Sequence, residues 1–143
     1  MTKRTAAYIA GIVDGEGYIG LSKFQGKVYG ARYRNKYSYK TRFVITNTDL
    51  PMLKLVQKNI GGRFDKRQRR AKHHKQGWNL VIPDVQKVLP KLIPFLRIKK
   101  RKAQLVNLAS KMLVERKRLN NQAGNDYLNE LGKIYRELKN VHI

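Results

Sequence analysis

The sequence predicts a mixed α/β domain in the order helix, two strands, helix, two strands, then helices. Three observations predict it. A short apolar stretch carries small residues at every fourth position, Ala7, Gly11 and Gly15, and breaks off in the run Asp14-Gly15-Glu16-Gly17. Two separate segments alternate apolar and polar residues, the mark of half-buried strands. Between them lie helix signals: Thr46-Asn47-Thr48-Asp49 ahead of Pro51, and Gly61-Gly62 some ten residues later.

Each element has its own justification. In the first helix, the four-residue spacing sets Ala7, Gly11 and Gly15 on one face, where another backbone can come close. Two glycines cost about 1 kcal/mol each against alanine in a helix, so that closeness must offset them. Glu16 falls at the helix C-terminus, where the macrodipole disfavours a carboxylate unless a cation is near, which points to a metal site. The glycines beside it are expected to end the helix in a left-handed turn. Ile19 and Leu21 then alternate with Gly20 and Ser22, and Tyr39, Thr41, Phe43 and Ile45 with Ser38, Lys40, Arg42 and Val44. The first member of each pattern should face a core and the second a polar ligand. Residues 26–35 read as a long, mobile, basic hairpin loop. A helix follows from Pro51 to Gly61-Gly62. Residues 63–82 look like a second hairpin with its turn near His73 to Gly77, its core face being Trp78, Leu80 and Ile82. The next helix starts near Pro83-Asp84, turns Val85, Val88, Leu89 and Leu92 inward, is made irregular by Pro90 and ends at Pro94. Residues 103–119 and 126–138 close the chain as helices, joined by the turn-like Asn120-Asn121-Gln122-Ala123-Gly124.

Charge is the second strong signal. Thirty-two Lys and Arg stand against nine Asp and Glu, a net charge of +23 over 143 residues. Such a field attracts polyanions. It is also clustered. No acid occurs from Gly17 to Thr48, while Lys23, Lys27, Arg32, Arg34, Lys36, Lys40 and Arg42 fall there among seven aromatic residues. A second cluster holds Arg63, Lys66, Arg67, Arg69, Arg70, Lys72 and Lys75. Isolated lysines read as a solvated surface, but two clusters separated by a helix read as a nucleic-acid surface. An anionic membrane lacks an amphipathic anchor here. With no Cys there is neither a disulfide framework nor a thiolate metal site. No signal peptide or membrane span is legible, so a soluble, intracellular protein is expected, in prokaryotic cytoplasm or an organelle.

The nonapeptide Ile9-Ala10-Gly11-Ile12-Val13-Asp14-Gly15-Glu16-Gly17 resembles the signature of the LAGLIDADG homing endonucleases, with Glu in place of the second Asp. The motif occurs once. Outside it the likeness extends over roughly residues 5–110 and is less specific. The resemblance implies one endonuclease domain over residues 1–143, of αββαββα type, whose four antiparallel strands curve into a saddle over the DNA major groove. It implies a homodimer with motif helices packed face to face through Ala7, Gly11, Ile12 and Gly15. Two later segments extend it. Phe43-Val44-Ile45-Thr46-Asn47-Thr48-Asp49 falls where the family ends its second strand beside the active site. Asn47 there corresponds to a polar residue, often Gln, that holds a catalytic water network, although as an ordinary residue it would cap a helix. The segment from Pro94 to Ala103 falls where members present a basic residue to the scissile phosphate. Lys99 takes that role, with Lys100 or Arg101 in its place if the register slips.

On this resemblance Glu16 and the Gly15 carbonyl ligate Mg²⁺ or Mn²⁺, the two Glu16 copies lying side by side across the dimer axis. Ca²⁺ is expected to support binding without cleavage. Lys99 would stabilise transition-state charge. Asp14 caps or braces the motif helices rather than binding metal. Both strands of double-stranded DNA would be cut across the minor groove, leaving short 3′ overhangs at a pseudo-palindromic site. Ser22, Ser38, Lys40 and Arg42 from the first hairpin, with Arg63, Arg67, Arg69 and Asn79 from the second, are the expected DNA-binding residues. His73 and His74 lack a third ligand nearby and read as phosphate contacts or exposed side chains. The alternative from a different class is a non-cleaving nucleic-acid binder, such as a maturase acting on its own intron RNA. Glu16 favours the nuclease, because a pure binder needs no acid at the negative end of a helix.

Overall fold

The computed structural model describes residues 1–25, 37–116 and 121–141. The basic hairpin loop expected over residues 26–35 lies outside them. Helix α1 (Lys3–Glu16) leads directly into strand β1 (Gly17–Gln25), followed by β2 (Tyr37–Asn47) and helix α2 (Leu50–Ile60). Strands β3 (Arg63–Lys66) and β4 (Trp78–Val81) come next, then α3 (Val85–Leu92), a 3₁₀ turn at Ile93–Phe95, α4 (Lys100–Arg116) and α5 (Asn121–Asn140). One antiparallel sheet of four strands runs in the order β1-β2-β4-β3.

The local chemistry explains the boundaries. Thr2 caps α1, its side chain accepting from the Thr5 amide at 3.1 Å. Asp49 caps α2 by accepting from the Met52 amide at 3.1 Å, with Pro51 in the first turn. At the far end of α2, Gly61 and Gly62 take φ values of 78° and 113°, a conformation open to glycine. A side chain at Gly62 would also meet the Val81 carbonyl at 2.8 Å, so the tight entry into β3 needs both glycines. The turn of the second hairpin closes slightly earlier than expected, at Ala71–His74, where the His74 amide donates to the Ala71 carbonyl. Helix α3 tolerates Pro90 on its exposed side and runs on to Leu92. The turn expected over residues 120–124 is not a turn from Asn121 onward, because α5 already begins there. Helix α4 likewise begins three residues earlier than the apolar pattern predicts, its first turn being the polar Lys100-Arg101-Lys102.

Two cores result. The larger one gathers Ile9, Val13, Ile19, Phe43, Ile45, Leu53, Leu80, Leu89, Leu92 and Val106 between the inner face of the sheet and helices α1 to α4. A second core joins Leu21 and Tyr39, on the far part of β1 and β2, to Leu105, Ala109, Leu131 and Ile134 of α4 and α5. The alternation in β1, β2 and β4 therefore sorts side chains as expected: Ile19, Leu21, Phe43, Ile45 and Leu80 are buried, and Lys40 and Arg42 are exposed. No helix of the described residues is long and apolar enough to cross a membrane.

The two glycines after α2 should differ in cost. Nothing lies near a side chain added at Gly61, so Gly61→Ala should cost about 1–3 kcal/mol from backbone strain alone. Gly62→Ala should cost clearly more, since it adds a clash with β4. Equal losses in chemical denaturation would argue against that close approach.

Candidate active site and nucleic-acid interface

Helix α1 divides into two faces. Ala6, Ile9, Ala10 and Val13 are buried in the larger core. Ala7, Tyr8, Gly11, Gly15 and Glu16 are exposed, with Ile12 partly so. Among the described residues nothing beyond the helix itself lies within 4 Å of a side chain added at Gly11 or Gly15, so both face open space. The end of the helix corrects one expectation. Gly15 is still helical, and Gly17 is extended at φ −87° and ψ 151° rather than left-handed. Gly17 is needed for closeness instead, since a side chain there would strike the Val13 carbonyl at 2.8 Å. The chain thus passes from helix to strand with no intervening loop, and Glu16 stands exposed at the junction.

The last turn of α1 contains no basic residue to complement its dipole. One arrives from 86 positions along the chain: the Lys99 ammonium donates to the Val13 carbonyl at 2.9 Å and to the Asp14 carbonyl at 2.8 Å. The segment carrying Lys99 is fastened by Asp14. One carboxylate oxygen accepts from the Arg97 amide and the other from the Lys99 amide, each at 2.9 Å. Both oxygens of Asp14 thus hold a distant stretch of its own chain. Burial pushes the Lys99 ammonium below the ordinary lysine pKa, outweighing the pull of Asp14. Lys102 pushes the same way, while Glu16 acts in favour of the charge. The Lys99 ammonium thus sits at the same end of α1 as Glu16.

The exposed Glu16 carboxylate is open to a hard divalent cation, whereas each oxygen of Asp14 already accepts a backbone amide. Among the described residues no group of three or more His, Cys, Asp or Glu converges on one point. A single carboxylate fits a Mg²⁺-type site that completes its shell with water and phosphate oxygens. Asn47 sits at the end of β2, opposite Trp78, and its side-chain oxygen accepts from the Asp49 amide at 2.9 Å. That oxygen holds the turn into α2, which leaves its second lone pair and the amide NH₂ for other partners.

The outer face of the sheet carries most of the residues expected to meet a ligand. Across β1 and β2, Ser22 pairs with Lys40 and Gly20 with Arg42. Ser38 pairs with Phe24 on the same face. Across β4 and β3, Asn79 pairs with Asp65 and Arg63 with Val81. A groove of about 410 Å³ runs between Lys40, Arg42, Arg63, Asp65 and Asn79. Beside it Thr46 Oγ1 donates to Asn79 Oδ1 at 2.7 Å, and within it Arg63 lies 3.6 Å from Asp65. Arg67 extends the β3–β4 ladder by one rung, its amide donating to the Gly77 carbonyl. Arg69 is exposed in the link beyond the strands and is not part of the sheet face.

The sequence reasoning did not single out Tyr18, Phe24, Thr46 or Asp65 for this face. Tyr18 and Phe24 are about half exposed, and both share the register of Ser22 and Arg42. Tyr18 lies over Gly20, where any side chain would meet its hydroxyl at 2.5 Å. The period-two pattern that marked Ser22 could have found all four, had it been extended to aromatic and acidic residues.

The sequence profile described as LAGLIDADG endonuclease matches residues 9–104. Among solved structures, the homing endonuclease I-CvuI in complex with the I-CreI target, in 2 mM Mg with the DNA not cleaved, superposes at a TM-score of 0.70 and 24% identity. That match covers 96% of this chain and 81% of that one. The archaeal intron-encoded homing endonuclease I-Vdi141I complexed with DNA superposes at 0.74 and 21% identity, covering 96% and 83%. The homing endonuclease I-TnaI gives 0.65 and 20%, covering 93% and 86%. At these identities the likeness is one of fold. No curated protein matches the sequence. The single nonapeptide on α1, the four-stranded antiparallel sheet and a profile match over most of the length lead to one conclusion: the chain belongs to the LAGLIDADG endonuclease family.

Proposed function

We propose that the protein is a site-specific double-strand DNA endonuclease, one domain over residues 1–143, acting as a homodimer with divalent metal. The observation that carries the reading is the meeting at one end of α1 of an exposed carboxylate, Glu16, and the Lys99 ammonium. A structural helix end needs a cap, but it does not need an acid and a partly dehydrated cation held together beside a basic sheet.

When bound, Mg²⁺ or Mn²⁺ supplies an activated water and relief of negative charge at the scissile phosphate. The chain's own residues do the rest. Glu16 and the Gly15 carbonyl hold the cation. Lys99 faces the phosphate and stabilises charge that grows in the transition state, at low cost in reorganisation because its position is set beforehand. Asn47 orients water through its NH₂ group. The open stripe of Ala7, Gly11, Ile12 and Gly15 receives the same stripe of a second copy, which brings two Glu16 carboxylates to one axis and matches a pseudo-palindromic target. Both DNA strands are then cut across the minor groove to leave short 3′ overhangs.

Sequence is read from the outer face of the sheet. Arg42 and Arg63 suit guanine and Asn79 suits adenine, each pairing being worth about 1–3 kcal/mol of discrimination. Ser22, Ser38 and Lys40 complete the reading surface on the first hairpin. Arg67 and Arg69, further out, suit phosphates, which fix register without conveying sequence. The half-exposed Phe24 offers an apolar contact to a thymine methyl.

Four measurements test the reading. Selection of cleaved sites from a random DNA library should return one pseudo-palindromic target with the wild type in Mg²⁺. Glu16→Gln should bind that target in Ca²⁺ and cut nothing; retained cleavage would remove Glu16 from its role, and structured-RNA binding without any DNA cutting would favour the maturase alternative. Gly11→Leu should leave the fold intact, since among the described residues nothing lies within 4 Å of a side chain added there, yet sediment as a monomer and lose cleavage. A Gly11→Leu dimer would rule out that interface. Finally, Arg42→Ala should relax preference at one base pair per half-site by about 1–3 kcal/mol rather than weaken all sequences alike.

A further inference from the structure

Asp14 is in a position that neither of its local environments explains alone. In α1 it lies in the last turn, where a carboxylate is disfavoured by the dipole and no basic residue of that turn offsets it. Seen from α4 it is well placed. The Ala103 amide donates to the Lys99 carbonyl, so Lys99 is the residue from which α4 starts, and the carboxylate faces the amides of Lys99 and Arg97 just ahead of that helix. The carboxylate of α1 thus takes the amides at the start of α4, while the Lys99 ammonium takes the carbonyls at the end of α1. The two helix ends satisfy each other reciprocally, through four hydrogen bonds of 2.8–2.9 Å.

We propose that Asp14 is a positioning residue for Lys99: by clasping the 97–99 segment it seats the ammonium at the end of α1, the end that carries Glu16. Lysine has four rotatable bonds and would otherwise sweep a wide volume. With its backbone amide tied to Asp14 and its ammonium tied to the carbonyls of Val13 and Asp14, both ends of the side chain are fixed to the helix that carries Glu16. The acid and the cation then move as one body. Asparagine cannot substitute fully, because only one of its two terminal atoms accepts a hydrogen bond and the other would oppose an amide N–H. The catalytic meaning of this clasp rests on the endonuclease reading above; the seating itself does not.

The test therefore has two readouts on the full-length protein. The first is the rate at which an amine-acylating reagent modifies Lys99, followed by mass spectrometry, with exposed Lys54 and Lys133 as internal references. Asp14→Asn should speed modification of Lys99 several-fold and leave the references unchanged; an unchanged Lys99 would overturn the seating. The second is single-turnover cleavage by Asp14→Asn, Lys99→Met and the double variant. Asp14→Asn should lower the rate by roughly 10²-fold with target binding in Ca²⁺ retained, the scale expected when a reacting group is displaced by about an ångström. The double variant should be no slower than Lys99→Met; multiplying defects would mean that Asp14 acts independently of Lys99 and would overturn the proposal. If Asp14→Asn fails to fold, amide exchange in the wild type decides: the Arg97 and Lys99 amides should be protected, and free exchange at both would overturn the clasp. A wild type that cleaves no DNA would remove the endonuclease reading, and the labelling result would still accept or reject the seating.

Discussion

Everything at the centre of this protein depends on how α1 stops. A helix that ends in water can fray, but this one must hand its chain to a strand at once, keep its last carbonyls satisfied and leave Glu16 outward. Gly17 permits the passage because its missing side chain makes room for the Val13 carbonyl. The Gly17 amide donates to that same carbonyl, and the Lys99 ammonium adds a second hydrogen bond to it. The constraint is one of space and unsatisfied polarity together: a bulkier residue at 17 or an unfilled carbonyl at 13 would force a loop, and a loop would detach Glu16 from the sheet.

From that junction the rest of the architecture follows. The buried side of α1 anchors the larger core through Ile9 and Val13, and β1 then carries Ile19 into the same core and Leu21 into the second. The first hairpin is long and the second short: β2 spans 11 residues and β4 only 4. A long two-stranded ribbon is marginal in water without something apolar beneath it. Helix α5 supplies it. Tyr135 packs against Tyr39 at a ring separation of 5.9 Å, and Lys23, extending from β1, lies over the rings of Tyr37 and Tyr135. The ion pair between Arg101 and Glu137 adds a tie between α4 and α5, though at the surface it contributes little to stability.

Much of this was legible in the sequence because it depends on short-range regularity. Period two in Ser38 to Ile45 sorted buried from exposed side chains, and Asp49 with Pro51 marked a helix start that the hydrogen bonding bears out. The family was legible from nine consecutive residues and matches the profile. What escaped was decided by partners far away in sequence. The pairing of Asp14 with Arg97 and Lys99 spans more than eighty residues, so no local pattern announces it. The reason for Gly17 was misjudged for a similar cause, since a left-handed turn and a close approach ask for the same residue. Helix α5 starts at Asn121 although Asn and Gly are poor helix formers, because the packing of Leu128, Leu131 and Ile134 further along rewards the whole helix. Asn47 was read in two ways from sequence, and its oxygen proves to serve the turn.

The division of the apolar interior into two cores has an evolutionary consequence. The junction that carries Glu16 and Lys99 rests on the larger core, whereas the outer part of the first hairpin rests on the smaller one built with α4 and α5. Substitutions along the outer ribbon and on the face of α5 beneath it therefore fall on the smaller core and not on the one under that junction. On the endonuclease reading proposed above, a lineage that follows a drifting target sequence gains from such a partition: it can retune recognition by repacking a peripheral cluster and inherit the junction at the end of α1 unchanged.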